Sequence, residues 1–168
     1  MKYMITAVIL TVGLSAFAAP DVFGPRDVDF TMGELTSLPT GLTVTHTPES
    51  VEPTFVGPSG SEWLHRTTVT SEVGPVTILE YGYFVERDGH WYRAHGEASH
   101  SGEDFARSFG CPEGALEPGM TYTNEFTRSL KDNQPEQAAK WYFIGVDAEG
   151  KKVKGEATVM LKGGFNGC

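Results

Sequence analysis

The chain has 168 residues, of which 39% are apolar and 21% charged, and its 13 basic and 22 acidic side chains give a formal net charge of −9 at pH 7. This negative charge argues against nucleic acid and anionic membrane surfaces as partners, because both would repel the protein. The length fits one domain that is large enough to bury a sizeable core.

The first 18 residues have the pattern of a secretory signal peptide. Lys2 supplies the positive start, an uncharged and mainly apolar run covers residues 5–17, and Ala16-Phe17-Ala18 fits the small-x-small cleavage pattern. An apolar helix of about 13 residues rises only about 20 Å, whereas a bilayer core is about 30 Å thick. We therefore expect cleavage after Ala18, with Ala19 as the alternative, and a secreted or periplasmic protein. No later stretch approaches membrane length, so we expect no stable membrane insertion of the single domain formed by residues 19–168.

Short alternating segments predict strands in the first half of this domain. Apolar residues alternate with polar ones over residues 28–32 and 42–46, and residues 63–70 are rich in β-branched and aromatic side chains. Residues 47–61 are rich in proline and glycine, which predicts a loop.

The strongest local signal is a β-hairpin. A long β-prone run covers residues 76–86, and Asp88-Gly89 is a two-residue turn that tolerates positive φ. Residues 90–94 then return, with Arg87 facing His90. The alternation assigns one face of the first strand to the core, namely Leu79, Tyr81, Tyr83 and Val85.

One short helix is predicted after the hairpin. Ser101 and Asp104 form a capping-box pattern, and Phe105 and Phe109 lie one helical turn apart. Gly110 is a typical C-terminal stop.

Two further strands are predicted near the C-terminus, at residues 141–146 and 155–161. Residues 147–150, which follow the first of these strands, have the composition of a turn. Ala157, Val159 and Leu161 share one face of the second strand. Several short strands with turn signals between them predict a mostly β fold, an antiparallel β-sandwich with one short helix.

The segment Leu116-Glu117-Pro118-Gly119-Met120-Thr121-Tyr122 resembles the L-x-P-G-x-x-Y corner of fibronectin type III domains. The paired segments 141–146 and 155–161 are similar to the closing hairpin of such immunoglobulin-like sandwiches. The resemblance implies that the Tyr122 hydroxyl bonds back to the upstream backbone. The sequence departs from the family after this tyrosine, because residues 124–140 intervene before the next predicted strand.

The two cysteines, Cys111 and Cys168, predict one disulfide bond, because an even number of cysteines in an oxidising compartment is typical of structural disulfides. Closing a loop of this length stabilises a fold by roughly 4 kcal/mol in the chain-entropy model. A catalytic thiol is the alternative, although a lone cysteine or a C-x-x-C pair is its usual pattern.

Three histidines, His90, His95 and His100, are the candidate metal ligands, because imidazole with nearby carboxylates suits zinc or copper. The odd separation of His90 and His95 places them on opposite faces of a regular strand, so a bend near Gly96 would be needed to bring them together. Ordinary surface histidines beside a turn are the other interpretation.

Trp91 and Tyr92 are the candidate ligand-binding residues, since they follow a tight turn and large aromatic side chains supply much contact area. Trp141 lies in the most apolar segment and is assigned to the core. No H-E-x-x-H, P-loop or Rossmann pattern and no nucleophile elbow occurs in the chain. The sequence therefore favours an exported, non-enzymatic binding or structural module without a cofactor, whose partner is an unknown protein or glycan. A periplasmic or secreted protein that binds zinc or copper through the histidines is the alternative.

Overall fold

The computed structural model of the chain describes residues 28–57, 60–93, 99–130 and 135–163. In this part of the chain two helices and eleven strands follow one another, and a 3-10 turn lies at Pro112–Gly114. In chain order the helices and strands are α1 Val28–Ser37, β1 Leu42–Thr47, β2 Ser50–Val51, β3 Thr54–Phe55, β4 Ser61–Ser71, β5 Val76–Arg87, β6 His90–Arg93, β7 His100–Ser101, α2 Gly102–Phe109, β8 Ala115–Leu116, β9 Thr121–Leu130, β10 Gln137–Asp147 and β11 Lys152–Leu161. The predicted signal peptide lies outside the described residues.

The strands form two sheets, which confirms the predicted mostly β sandwich. In the four-stranded sheet, β4 pairs with β1 and β3 along one side and with β9 along the other. In the seven-stranded sheet the main order is β2-β11-β10-β5-β6, and β7 and β8 also pair with β5. The pairing is antiparallel except between β11 and β2, which run parallel. The two sheets pack face to face because each has one apolar surface to bury.

The predicted hairpin is confirmed together with its register. Arg87 faces His90, and Asp88 and Gly89 form the turn with φ angles of 52° and 77°. Positive φ at both turn residues matches the right-handed twist of the flanking strands, which is why an Asp-Gly pair suits this position. The second predicted pair of C-terminal strands is also present, as β10 and β11.

The assignment of Leu79 to the core is wrong. Between β10 and β5 the register shifts, so that Ile144 faces Glu80 while Gly145 faces Ile78, and Leu79 has no directly opposed residue. A bulge of this kind reverses the faces of the residues that precede it. Ile78 therefore joins Tyr81 in the core between the sheets, and Leu79 is 38% exposed.

The strand predicted over residues 28–32 is also wrong, because these residues begin helix α1. The outer face of the seven-stranded sheet is covered by Met32 and Leu35 of this helix and by Leu38 just after its end, which follow helical spacing. Under α1 lies a second, smaller apolar cluster that includes Phe84, Tyr142 and Ile144. An ion pair of 3.1 Å between Glu34 Oε1 and Lys152 Nζ also joins the helix to β11.

The one helix that the sequence predicted is α2, and it is confirmed at both ends. The Ser101 hydroxyl accepts a hydrogen bond from the Asp104 backbone N–H, and the Asp104 carboxylate accepts one from the Ser101 backbone N–H. Gly110 ends the helix in the left-handed conformation, with φ of 63°. Phe105 and Phe109 are buried, so α2 closes the core between the sheets.

Strand β9 fills the segment that the sequence left without a strand. It begins at Thr121, so Tyr122 leads directly into a strand that pairs with β4 over its whole length. The Glu117 backbone N–H donates to the Tyr122 hydroxyl at 3.5 Å. No helix among the described residues is long and apolar enough to cross a membrane.

Candidate functional site

The predicted metal ligands are separated where the structure describes them. His90 faces Arg87, and His100 faces Tyr81, six residues away along the same strand β5. At about 3.3 Å per residue the two backbone positions lie roughly 20 Å apart, which is too far for one ion. His100 stacks on Tyr81 with 4.8 Å between ring centroids, and His95 lies outside the described residues. Within the described part of the chain no group of three or more His, Cys, Asp or Glu side chains is placed to hold a metal.

The predicted ligand-binding aromatics point in opposite directions. Trp91 faces Glu86 and packs against the cluster under α1, with the Lys140 ammonium 4.7 Å from its ring centroid. Tyr92 faces Val85 on the other side of the sheet and is 47% exposed. Because neighbouring residues of a strand face opposite sides, these two rings do not form one platform.

Cys111 is buried in the main core, and its thiol contacts the Ala115 carbonyl oxygen at 3.1 Å. Burial raises the pKa of this thiol, although a hydrogen bond with Tyr122 acts in the opposite direction. A buried thiol with a raised pKa is a poor nucleophile, which disfavours a catalytic role. Its predicted disulfide partner, Cys168, lies outside the described residues, so the disulfide bond stays a prediction.

The outer face of the four-stranded sheet carries a regular set of threonines. Six threonines form two rows that cross the sheet from β1 over β4 to β9, and we call these residues the threonine face. The threonines of each row face one another in the strand register: Thr43, Thr70 and Thr121 in one row, and Thr45, Thr68 and Thr123 in the next. All six are exposed or half-buried. The face continues into an ion pair of 2.9 Å between Arg66 and Glu125. No described helix or strand packs over the threonine face.

Beside the threonine face runs the open edge of β9. In the described part of the chain, β9 pairs with β4 on one side and with no strand on the other. Such an edge presents backbone N–H and C=O groups to which another strand can bond. The edge has ten residues, and Thr121 and Thr123 of the threonine face belong to it.

Two histidines that the sequence did not single out meet inside the sandwich. His46 on β1 and His65 on β4 are 5% and 4% exposed, and their rings meet edge to face with 5.2 Å between centroids. Trp141 packs against both rings, and Phe126 stacks on His65. His46 Nδ1 is hydrogen-bonded to the Thr67 hydroxyl at 3.0 Å.

Both members of this histidine pair are held in the neutral form. Burial, and secondarily the neighbouring His46 ring, lower the pKa of His65 to about 4. Burial also lowers the pKa of His46, while the backbone of Ala157 partly opposes this shift. Among the described residues, His46 Nε2 and both ring nitrogens of His65 have no hydrogen-bonding partner. Since buried polar groups are nearly always hydrogen-bonded, a pair of this kind calls for an explanation.

Part of the signal for the histidine pair was present in the sequence. His46 follows Leu42 and Val44 on the inward face of an alternating strand, and its burial follows from that pattern. The contact with His65 does not follow, because it depends on the long-range pairing of β1 with β4, in which His46 faces Thr67.

No protein-family model and no curated protein matches the sequence. Solved structures that are similar to the chain include two bacterial proteins. A Bordetella pertussis protein assigned as ApaA has a TM-score of 0.45 and 14% identity, covering 74% of this chain and 95% of its own. The sporulation control protein Spo0M from Bacillus subtilis has a TM-score of 0.35 and 11% identity, covering 73% of this chain and 49% of its own. Neither likeness bears on function.

Proposed function

We propose that the protein is an exported, non-enzymatic binding module whose partner is a protein that adds an extended segment to the edge of β9. The observation that carries this proposal is the pairing of β9 on one side alone among the described residues. Strand addition to an open edge is a general mode of peptide recognition, in which the backbone gives affinity and alternate side chains give specificity. A glycan has no backbone amides to continue a sheet, so the edge favours a protein partner.

The threonine face supports the same site. The threonine side chains are small, so no bulky group stands on the threonine face beside the edge of β9. A partner that pairs with β9 can therefore also contact β4. The Thr68 and Thr123 hydroxyls are 3.2 Å apart, which ties the edge strand to its neighbour. A partner would therefore contact an ordered surface.

The non-enzymatic part of the proposal is supported by the position of the histidines. The Thr67 hydroxyl is hydrogen-bonded to the His46 ring. Hydrolases use a hydroxyl paired with a histidine in this way to activate a nucleophile. Here Thr67 is fully buried between the two sheets, where a substrate does not reach it.

We also infer that the sandwich is immunoglobulin-like. The contact between the Tyr122 hydroxyl and the Glu117 backbone has the form of the tyrosine corner, and β10 and β11 form a hairpin late in the chain. The position of Tyr122 near the start of β9 is also in keeping with that family.

The docking site is tested with two separate variants, each of which places one bulky charged side chain on a different sheet of the sandwich. Thr123→Arg should reduce capture of the partner from the exported fraction of the native host by about tenfold or more, since a loss of 1.4 kcal/mol suffices for that factor. Thr158→Arg is the matched control, because Thr158 is an exposed threonine on β11 of the other sheet and should leave capture unchanged. Mass spectrometry and glycan analysis identify the captured material. Equal loss with both variants, or capture of a glycan instead of a protein, would contradict the proposal.

Export predicts the chemical state of the native protein. Its N-terminal residue should be Ala19, and its intact mass should show a disulfide between Cys111 and Cys168 that blocks alkylation until a reductant and a denaturant are added. Both reagents are needed because Cys111 is buried and burial raises the pKa of its thiol. Native material that starts at Met1 and carries two free thiols would rule out the exported, disulfide-bonded form.

A further inference from the structure

We propose that the His46–His65 pair makes the sandwich acid-sensitive, because a proton that binds between the sheets favours states in which the four-stranded sheet separates from the seven-stranded sheet. Each imidazole belongs to the four-stranded sheet and contacts Trp141 of the opposite sheet. The pair therefore lies across the interface that holds the sandwich closed.

The surroundings of the pair offer little to stabilise a positive charge. The polar groups that act on His46 are the Thr67 hydroxyl and the Ala157 backbone, and His65 has no hydrogen-bonding partner among the described residues. Phe126 comes from β9, Trp141 from β10 and Ala157 from β11, and Tyr83 of β5 stacks behind Trp141 with 4.6 Å between ring centroids. Tyr83 is the titratable group among these described side chains. In the described part of the chain no carboxylate contributes to the electrostatics of either histidine.

The two rings also oppose each other's protonation. A first proton would leave a cation in a dry site, and a second would place two like charges about 5 Å apart. Opening of the sandwich exposes both imidazoles to water and removes both penalties. Acid therefore stabilises the open states relative to the closed one.

The pKa of His65 falls from its ordinary value of 6.5 to about 4 in the folded protein. This shift sets the pH range in which the protein loses stability as the solution becomes more acidic. The stabilisation from the neutral ring is complete above pH 6.5 and is lost as the pH falls towards 4. One such group raises the equilibrium constant for unfolding about tenfold per pH unit inside this window, or about 30-fold between pH 7.5 and pH 5. His46 shifts in the same direction and adds to the effect.

The pair lies on the inner side of the sheet whose outer side carries the threonine face. Separation of the sheets would therefore also disturb the edge of β9 and release a bound partner. Release of the partner rests on the proposed function. The acid sensitivity itself does not, because it is measured on the purified protein without a partner.

The test compares denaturant unfolding of the purified protein at pH 7.5 and pH 5 in three forms. The wild type should show a rise of about 30-fold or more in the equilibrium constant for unfolding. His65→Leu replaces one titrating ring with an apolar side chain of similar volume. This variant should lack the factor of about 30 that His65 contributes to the rise. His90→Gln changes a histidine that is exposed on β6 and should behave as the wild type. Most carboxylates titrate below pH 5, so they contribute little to the difference.

A second measurement decides the question even if the His65→Leu variant does not fold. NMR titration of the folded wild type should show that His65 is still neutral at pH 5 and that the pKa of His46 lies below its ordinary value. Titration of His65 near pH 6.5 in the folded protein, or full retention of the pH dependence by His65→Leu, would overturn the proposal. Failure of partner capture alone would bear on the docking site and leave the acid sensitivity standing.

Discussion

Replacement of Phe105 by alanine is expected to lower the free energy of unfolding by about 3–5 kcal/mol, because it removes a fully buried ring and leaves a cavity at the end of the sandwich. The ring of Phe105 stacks on Phe109 at 4.3 Å and meets the edges of Tyr81 and Phe143 at 5.9 Å. Helix α2 has only eight residues, so these contacts, more than its intrinsic helix propensity, hold it in place. Urea titration followed by tryptophan fluorescence measures the loss.

Phe55 supplies the matched control for this substitution. It is also a phenylalanine in a β-rich domain, but it lies in the two-residue strand β3 and is 64% exposed. Phe55→Ala should change the free energy of unfolding by less than about 0.5 kcal/mol, as most surface substitutions do. Similar losses for the two alanine variants would contradict the packing of α2 against the core.

Features that a few neighbouring residues determine were predictable from the sequence. The Asp88-Gly89 turn sets the register of its hairpin, and the capping box at Ser101 sets the start of α2. In both cases the interacting groups lie within a few residues of one another, so the pattern contains the information needed.

Features that depend on distant partners were not predictable in this way. The exposure of Leu79 results from a bulge that exists only because β10 pairs with β5 in a shifted register. The alternation at residues 28–32 is too short to distinguish a strand from a helix, and α1 is recognisable by the sheet face that it covers. Strand β9 is rich in polar residues because its outer face is exposed, so it lacks the apolar signal of a buried strand.

The same distinction applies to the candidate sites. Proximity in sequence suggested a shared metal site for His90 and His100, yet the pairing with β5 places them about 20 Å apart. His46 and His65 are 19 positions apart in the sequence, and the pairing of β1 with β4 brings their rings into contact. Sheet pairing, rather than sequence spacing, therefore decides which imidazoles can act together.

Replacement of Gly102 by alanine is expected to lower the free energy of unfolding by about 3 kcal/mol. A Cβ atom at this first residue of α2 would lie 2.1 Å from the backbone carbonyl oxygen of Ile78, so the helix and strand β5 would have to move apart. The contact is with backbone at a bulged position, where no side-chain rotation can relieve it. Loss of the close approach would also shift Phe105 in the core.

Gly33→Ala is the control, since Gly33 is also a glycine in a helix but has no atom within 4 Å of the point that a methyl group would occupy. Alanine has the higher helix propensity, so this variant should be more stable than the wild type by up to about 1 kcal/mol. Thermal and urea unfolding of the two variants should therefore change in opposite directions. A Gly102→Ala protein as stable as the wild type would mean that α2 does not approach β5 at Ile78, and the closure of the core by Phe105 and Phe109 would need another explanation.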